Sequence, residues 1–231
     1  TAATALADST QLAQAIGKPV AALSASLFVA IYHNNANTNY NVVAASVSGT
    51  AIAPGSELTL QTTSVSENNQ DGFVVRLDAT RYMAVVTQTT AHDVIARGGS
   101  VAGTAITQGT ARTIADNADD NDQLSGAVLG DHFAVQYTDA GTSEQVLILC
   151  ATDGANEVST IHRAQNAEKR FQSQFSAAPQ NAIIAVDSGH FMQVGDAFGD
   201  AQGDPSLVLM VLWEVSNGAL RIVGTHSKPH E

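Results

Sequence analysis

A chain of 231 residues with net charge −12, carrying 22 Asp and Glu against 10 Lys and Arg, is repelled by phosphate backbones and anionic bilayers, which argues against nucleic-acid binding. Hydrophobic residues make up 44%, yet aromatics are 5% and charged residues 14%, so Thr, Ser, Asn and Gln must supply the polar surface; that is strand and turn composition, not that of surface helices. No stretch reaches the ~18 apolar residues of a membrane span, and the single Cys150 rules out an internal disulfide.

The first segment, 1–17, reads as a closing strand and linker. Thr4-Ala-Leu-Ala-Asp8 resembles Thr110 to Asp116, and Asp8 precedes Val20 by the spacing that separates Asp116 from Val128. Four units follow, at about 18–65, 72–116, 124–176 and 182–231. Each is marked by an aromatic and a short apolar run: Phe28 to Tyr32, Tyr82 to Val86, Phe133 to Tyr137, and Phe191 to Val194. Near-constant spacing of such a run is the signature of a repeat architecture.

Within each unit the order of elements is the same. A short strand comes first (Val20 to Leu23, Val74 to Leu77, Val128-Leu129, Ile184 to Val186). A tight turn of Ser, Asp and Gly joins it to the aromatic strand, as in a hairpin. The third strands are Val42 to Val47, Val94 to Val101, Val146 to Ala151 and Leu207 to Val215. Second turns follow at Gly49-Thr50, Gly103-Thr104, Asp153-Gly154 and Asn217-Gly218. Fourth strands are expected at Ser56 to Thr63, Thr110 to Ala115 and Lys169 to Phe175, with Pro54-Gly55 and Gln108-Gly109 breaking their starts as bulges do. A short helix over Arg163 to Phe175 is the weaker alternative there. The fourth unit runs out after Leu220 to Val223, which leaves Thr1 to Asp8 to complete its sheet.

These elements predict an all-β fold: four repeats of about 50 residues, each a four-stranded antiparallel unit, arranged as a four-bladed β-propeller closed by the N-terminal strand. A β-sandwich or barrel is the alternative. Val47-Ser-Gly-Thr-Ala-Ile52 to Gly55 and Val101-Ala-Gly-Thr-Ala-Ile106 to Gly109, with Tyr32 and Asn34 and with Tyr137 and Asp139, resemble β-propeller-like repeat modules of phage structural (tail or virion) proteins and bacterial surface proteins. The resemblance implies a propeller fold and an extracellular or virion setting, and no catalytic residue.

Chemistry is sparse. No nucleophile elbow, Walker loop, His-Glu-x-x-His or EF-hand loop is present, and no catalytic, cofactor-binding or metal-binding residue is assigned. His132 and His190 share a repeat position filled by Leu27 and Arg81 in the other units, so a symmetric metal ring is not expected and an exposed edge is. His226 and His230 read as a solvated tail. Acidic loops at Asp116, Asp119, Asp120 and Asp122, and at Asp196, Asp200 and Asp204, lack the alternation of known calcium loops and read as solvated turns. The Asn-rich loop from Asn34 to Asn41, with Tyr40, reads as an ordinary polar loop, with a sugar site as its functional alternative. Cys150 sits in an apolar run and reads as a buried small hydrophobe.

The functional expectation is a non-enzymatic structural or receptor-binding module of an extracellular assembly, such as a virion or tail component or a surface appendage subunit. Its partners would be copies of itself or other assembly proteins, and possible glycans on a cell surface. The alternative is a lectin-like, carbohydrate-binding propeller, with calcium as an optional aid.

Overall fold

A computed structural model describes residues 19–34, 39–62, 72–88, 92–116, 124–139, 145–153, 158–165, 182–197, 207–216 and 219–229. Every regular element among them is a strand. Sheet I holds β1 (Val20–Ser24), β2 (Leu27–Asn34), β3 (Asn39–Ser48), β4 (Ala51–Pro54) and β5 (Leu58–Thr62). Sheet II holds β6 (Gly72–Arg76), β7 (Arg81–Gln88), β8 (Asp93–Ala102), β9 (Ala105–Gln108) and β10 (Arg112–Ala115). Sheet III is β11 (Ser125–Leu129), β12 (His132–Thr138), β13 (Gln145–Thr152) and β14 (Val158–Gln165). Sheet IV is β15 (Ala182–Ala185), β16 (His190–Ala197), β17 (Leu207–Ser216) and β18 (Ala219–Pro229).

All four sheets are antiparallel meanders in chain order. In sheets I and II the outer strand is split in two, β4 with β5 and β9 with β10, both halves pairing with the third strand. The split falls at Gly55 and Gly109, whose N–H groups donate to Ala44 O and Gly98 O at 2.8 and 2.9 Å. This is the bulge expected at the Pro-Gly and Gln-Gly pairs.

The first strands of the sheets pack side by side, β1 on β6, β6 on β11 and β11 on β15. Together they line one central channel of about 320 Å³. Sheets that radiate from a shared channel by their first strands are laid out as a β-propeller. A sheet stacked between two others buries both faces, which explains why the central strands are apolar without alternation. In β7, Tyr82 to Thr87 are all buried.

The two faces of each strand serve different neighbours. Val29, Ile31, Tyr40, Val42 and Leu60 of sheet I meet Tyr82, Ala84, Val86 and Ile95 of sheet II. The opposite face of sheet II, with Phe73, Met83, Val85 and Val94, meets Phe133, Val135, Tyr137 and Ile148 of sheet III. Ala134 and Leu147 then meet Phe191, Val211 and Trp213 of sheet IV. Three of the four recurring aromatics, Tyr82, Phe133 and Phe191, thus face the preceding sheet. Phe28 lies in a smaller cluster with Ala30, Tyr32 and Val43, on the face of sheet I turned away from sheet II.

Two expectations are corrected. The strand that pairs with β13 in unit three is β14, Val158–Gln165, earlier in the chain than the expected Lys169 to Phe175; the latter lies outside the described residues, as does most of the helix alternative, of which Arg163 to Gln165 are strand. Unit four does not run out at Val223: β18 continues to Pro229 and pairs with β17 along its length. The outer side of β17 is therefore filled by β18 itself. Thr1 to Asp8 themselves lie outside the described residues.

Candidate functional site

Three regions carry the side chains from which function has to be read: the channel, the turn rim around it, and the seams between sheets. The channel wall is Val20 to Ala22, Val74 to Arg76, Gly126 to Val128 and Ile183 to Ala185. It holds one charged residue, Arg76, whose Nε donates to the Asp78 carbonyl oxygen at 3.1 Å. Val20 and Ile184 are about half exposed.

At the turn rim, aspartates fold back onto the hairpins that join first and second strands. Asp78 Oδ1 accepts from the N–H groups of Thr80 and Arg81 at 2.8 and 2.9 Å, and Arg81 Nε donates to Asp78 Oδ2 at 2.6 Å. Asp187 Oδ1 accepts in the same way from Gly189 and His190 at 2.8 and 2.9 Å, with His190 Nδ1 also 2.9 Å away. His132 Nδ1 lies 2.6 Å from Asp131 Oδ1. The repeat position shared by His132, His190 and Arg81 is thus a partner for a turn aspartate. Sequence reasoning saw the position as an exposed edge; the Asp three residues earlier, at 78 and 187, was the signal for its actual role.

The Thr80 N–H and the Arg81 guanidinium hold the Asp78 carboxyl down at about 2, below its ordinary 3.8. A folded-state value below the unfolded one stabilises the hairpin above pH 3.8, and the contribution is lost as pH falls towards about 2. The melting-temperature gap between wild type and Asp78→Asn is therefore expected to be full at neutral pH and to close over that acid range. Asp187 is lowered likewise, first by the Gly189 N–H and then by His190.

Arginines bridge the seams. Arg97 of β8 donates from Nη1 to Leu60 O in sheet I at 2.9 Å and from Nε to Gly109 O at 2.8 Å. Arg112 of β10 donates to Val158 O in sheet III, and Arg81 to Asp153 O beyond β13 at 3.4 Å. No local pattern announces these bonds, because their partners lie 37, 46 and 72 residues away.

Between sheets I and II the seam opens at the outer rim into a cleft of about 490 Å³, lined by Pro54, Gly55, Ser56, Leu58, Thr104, Ala105 and Ile106. The β8–β9 turn sits directly on Gly55: a Cβ built there would overlap the Thr104 carbonyl oxygen. The motif repeated at 47–55 and 101–109 thus has a mechanical meaning. The hairpin tip of one copy is seated on the glycine bulge of the other.

The remaining candidates resolve individually. Tyr40 is fully buried between sheets I and II, edge-on to His33 with ring centroids 5.9 Å apart, so it is a core residue and not a loop aromatic. Asn41 is buried too, its Nδ2 donating to Glu57 Oε2 at 3.2 Å beside Tyr32, whose hydroxyl burial and the Glu57 carboxylate push upward. Residues 35–38 lie outside the described set. Asp196 is in β16 and Asp116 follows β10; Asp119, Asp120, Asp122, Asp200 and Asp204 lie outside the described residues. His226 is exposed, but on β18, so the tail is a strand there; His230 lies outside the described residues. Among the described residues no three metal-ligating side chains converge.

Cys150 is fully buried opposite Phe133, and burial pushes its thiol up to about 12. A neutral, enclosed thiol is a poor nucleophile. A thiol-specific reagent is expected to modify it only when denaturant unfolds the chain; stoichiometric reaction of the native protein would show that sheets II and III separate.

No family model matches the chain, and no curated protein matches it. Among solved structures it is similar to the lectin of the fungus Aleuria aurantia, described as a six-bladed β-propeller with a novel fucose recognition mode. That match has a TM-score of 0.49 and 10% identity, and covers 86% of this chain and 56% of the lectin chain.

Proposed function

We propose that the chain is a non-catalytic structural or interaction module of an extracellular assembly. One observation carries this reading: the residues that repeat from unit to unit are spent on joining sheets. Tyr82, Phe133 and Phe191 fill the seams, and Gly55 receives Thr104; Arg97 and Arg112, particular to the second unit, add bridges to carbonyl oxygens. A repeat selected for catalysis would converge nucleophiles, acids and bases on one point. Here the channel wall is apolar but for Arg76, and the turn aspartates are engaged in their own hairpins.

Particle size in solution tests the reading, by analytical ultracentrifugation across a concentration series. Concentration-dependent growth supports an assembly module. A strict monomer that captures immobilised glycans, fucosides included, would favour the carbohydrate-binding class instead. Hydrolytic turnover of any glycan or peptide probe would overturn both.

A further inference from the structure

The four sheets form an array with two unlike ends, and each end lacks an element that its interior equivalents possess. Position by position, Val29, Met83, Ala134 and Met192 occupy the same place, just after the recurring aromatic, on the face turned to the following sheet. The first three are fully buried; Met192 is only half-buried. On the opposite face Tyr82, Phe133 and Phe191 are fully buried against the preceding sheet, while Phe28 is only half-buried. The strand-on-strand packing that joins β1, β6, β11 and β15 in series is not repeated to the same extent between β15 and β1 among the described residues.

The rim shows the same asymmetry. Ile106 packs into the seam between sheets I and II, whereas its equivalent Ile52, on the same face as Phe28, is 38% exposed, and the tip at Gly49-Thr50 is exposed with it. At the other end, Val215-Ser216, Ala219-Leu220 and Gly224-Thr225 reproduce the Val-Ser, Ala-Ile and Gly-Ser of 47–56 with one residue inserted. The bulge between Leu212 and Trp213 accommodates the extra Val223. Gly224 is therefore the seat that corresponds to Gly55. Where Gly55 is covered by Thr104, a Cβ on Gly224 would meet only Leu212 Cβ, at 3.8 Å, among the described residues. The register Ile184–Met192–Leu212–Gly224 runs straight across sheet IV, so these four form one strip on its outer face.

We infer that this strip on sheet IV is the docking surface for a second copy of the chain, which presents Phe28, Ile52 and the Gly49-Thr50 tip of its sheet I. The template is the contact already made inside the chain, Thr104 on Gly55 with Ile106 beside it. A tip at one end and a seat at the other make the contact head-to-tail, so it propagates to a ring or a filament and not to a twofold dimer. The inference rests on the assembly reading proposed above and names its surface.

The test uses the full chain and three variants: Ile52→Arg on the tip side, and Gly224→Leu and Ile184→Arg on the seat side. Wild type is expected to grow with concentration in sedimentation velocity. Each variant alone is expected to remain monomeric, with wild-type circular dichroism and melting temperature. Mixing Ile52→Arg with Gly224→Leu leaves one good tip and one good seat, so a 1:1 complex that grows no further is expected. Variants that all assemble like wild type overturn this surface and leave the assembly reading standing. A wild type that stays monomeric into the millimolar range overturns both. A monomeric wild type whose melting temperature falls equally in the tip and seat variants would place the tip in its own chain's seat, and also overturns the proposal.

Discussion

Truncating Phe133 to Ala is expected to cost about 3–5 kcal/mol of folding stability, the range for removing a large buried aromatic with little relaxation around it. The ring is fully buried in the seam between sheets II and III, opposite Cys150 and among Phe73, Met83, Val85 and Ile148. Nothing nearby can collapse into the space, because its neighbours are strand residues held on both sides by ladder hydrogen bonds. Phe28→Ala is the internal control. It sits at the same repeat position but is half-buried, so its cost should be well below that of Phe133→Ala, since the stabilisation follows the apolar area removed from water. Chemical denaturation of the two variants side by side checks both values. Equal costs would mean that the Phe28 face is closed in solution.

The second large effect is expected at Gly126. A Cβ on this residue would overlap the Phe73 ring, which lies across the backbone of β11 where β6 and β11 meet at the channel. Gly126→Val should destabilise by about 1–3 kcal/mol through overpacking. The backbone there is ordinary strand, so the penalty is steric and not conformational. A Cβ would also come 2.8 Å from the Ala134 carbonyl oxygen, so shortening the ring should relieve part of the clash: Gly126→Val with Phe73→Leu is expected to be more stable than the sum of the two single costs, a coupling that a double-mutant cycle measures. Additive costs would show that the two strands simply move apart.

Much of this architecture was legible. The recurring aromatics located the second strand of every sheet, and the third strands fell where apolar runs were longest, because a central strand buried on both faces must be apolar throughout. The outer strands were harder. β14, with Ser159, Thr160, His162 and Arg163 among its residues, and β18, ending Gly-Thr-His-Ser-Lys-Pro, carry few apolar residues. Strands of this kind are held by backbone pairing to an apolar neighbour, here β13 and β17, and leave little hydrophobic pattern of their own. Tyr40 was read as a loop residue because Asn-rich text surrounds it, yet the β2–β3 hairpin extends far enough to pair His33 with Tyr40. The glycine seats were half visible: Gly55 and Gly109 announced bulges, but which hairpin tip rests on Gly55 depends on how neighbouring sheets lie against each other.

The seam arginines have an electrostatic consequence. Arg97 and Arg112 direct their charge at backbone carbonyls between sheets, and Arg81 divides its own between Asp78 and a carbonyl of sheet III. A guanidinium spent on a neutral carbonyl is not spent on a carboxylate, and only 10 Lys and Arg exist to set against 22 Asp and Glu. With net charge −12 the chain carries a field of predominantly negative sign. Two copies approaching in dilute buffer repel each other over a range of about 10 Å at 0.1 M salt, and over about 30 Å at 0.01 M. Raising ionic strength screens that repulsion while leaving the short guanidinium–carbonyl bonds nearly untouched. Salt should thus bring molecules together without loosening the molecule itself.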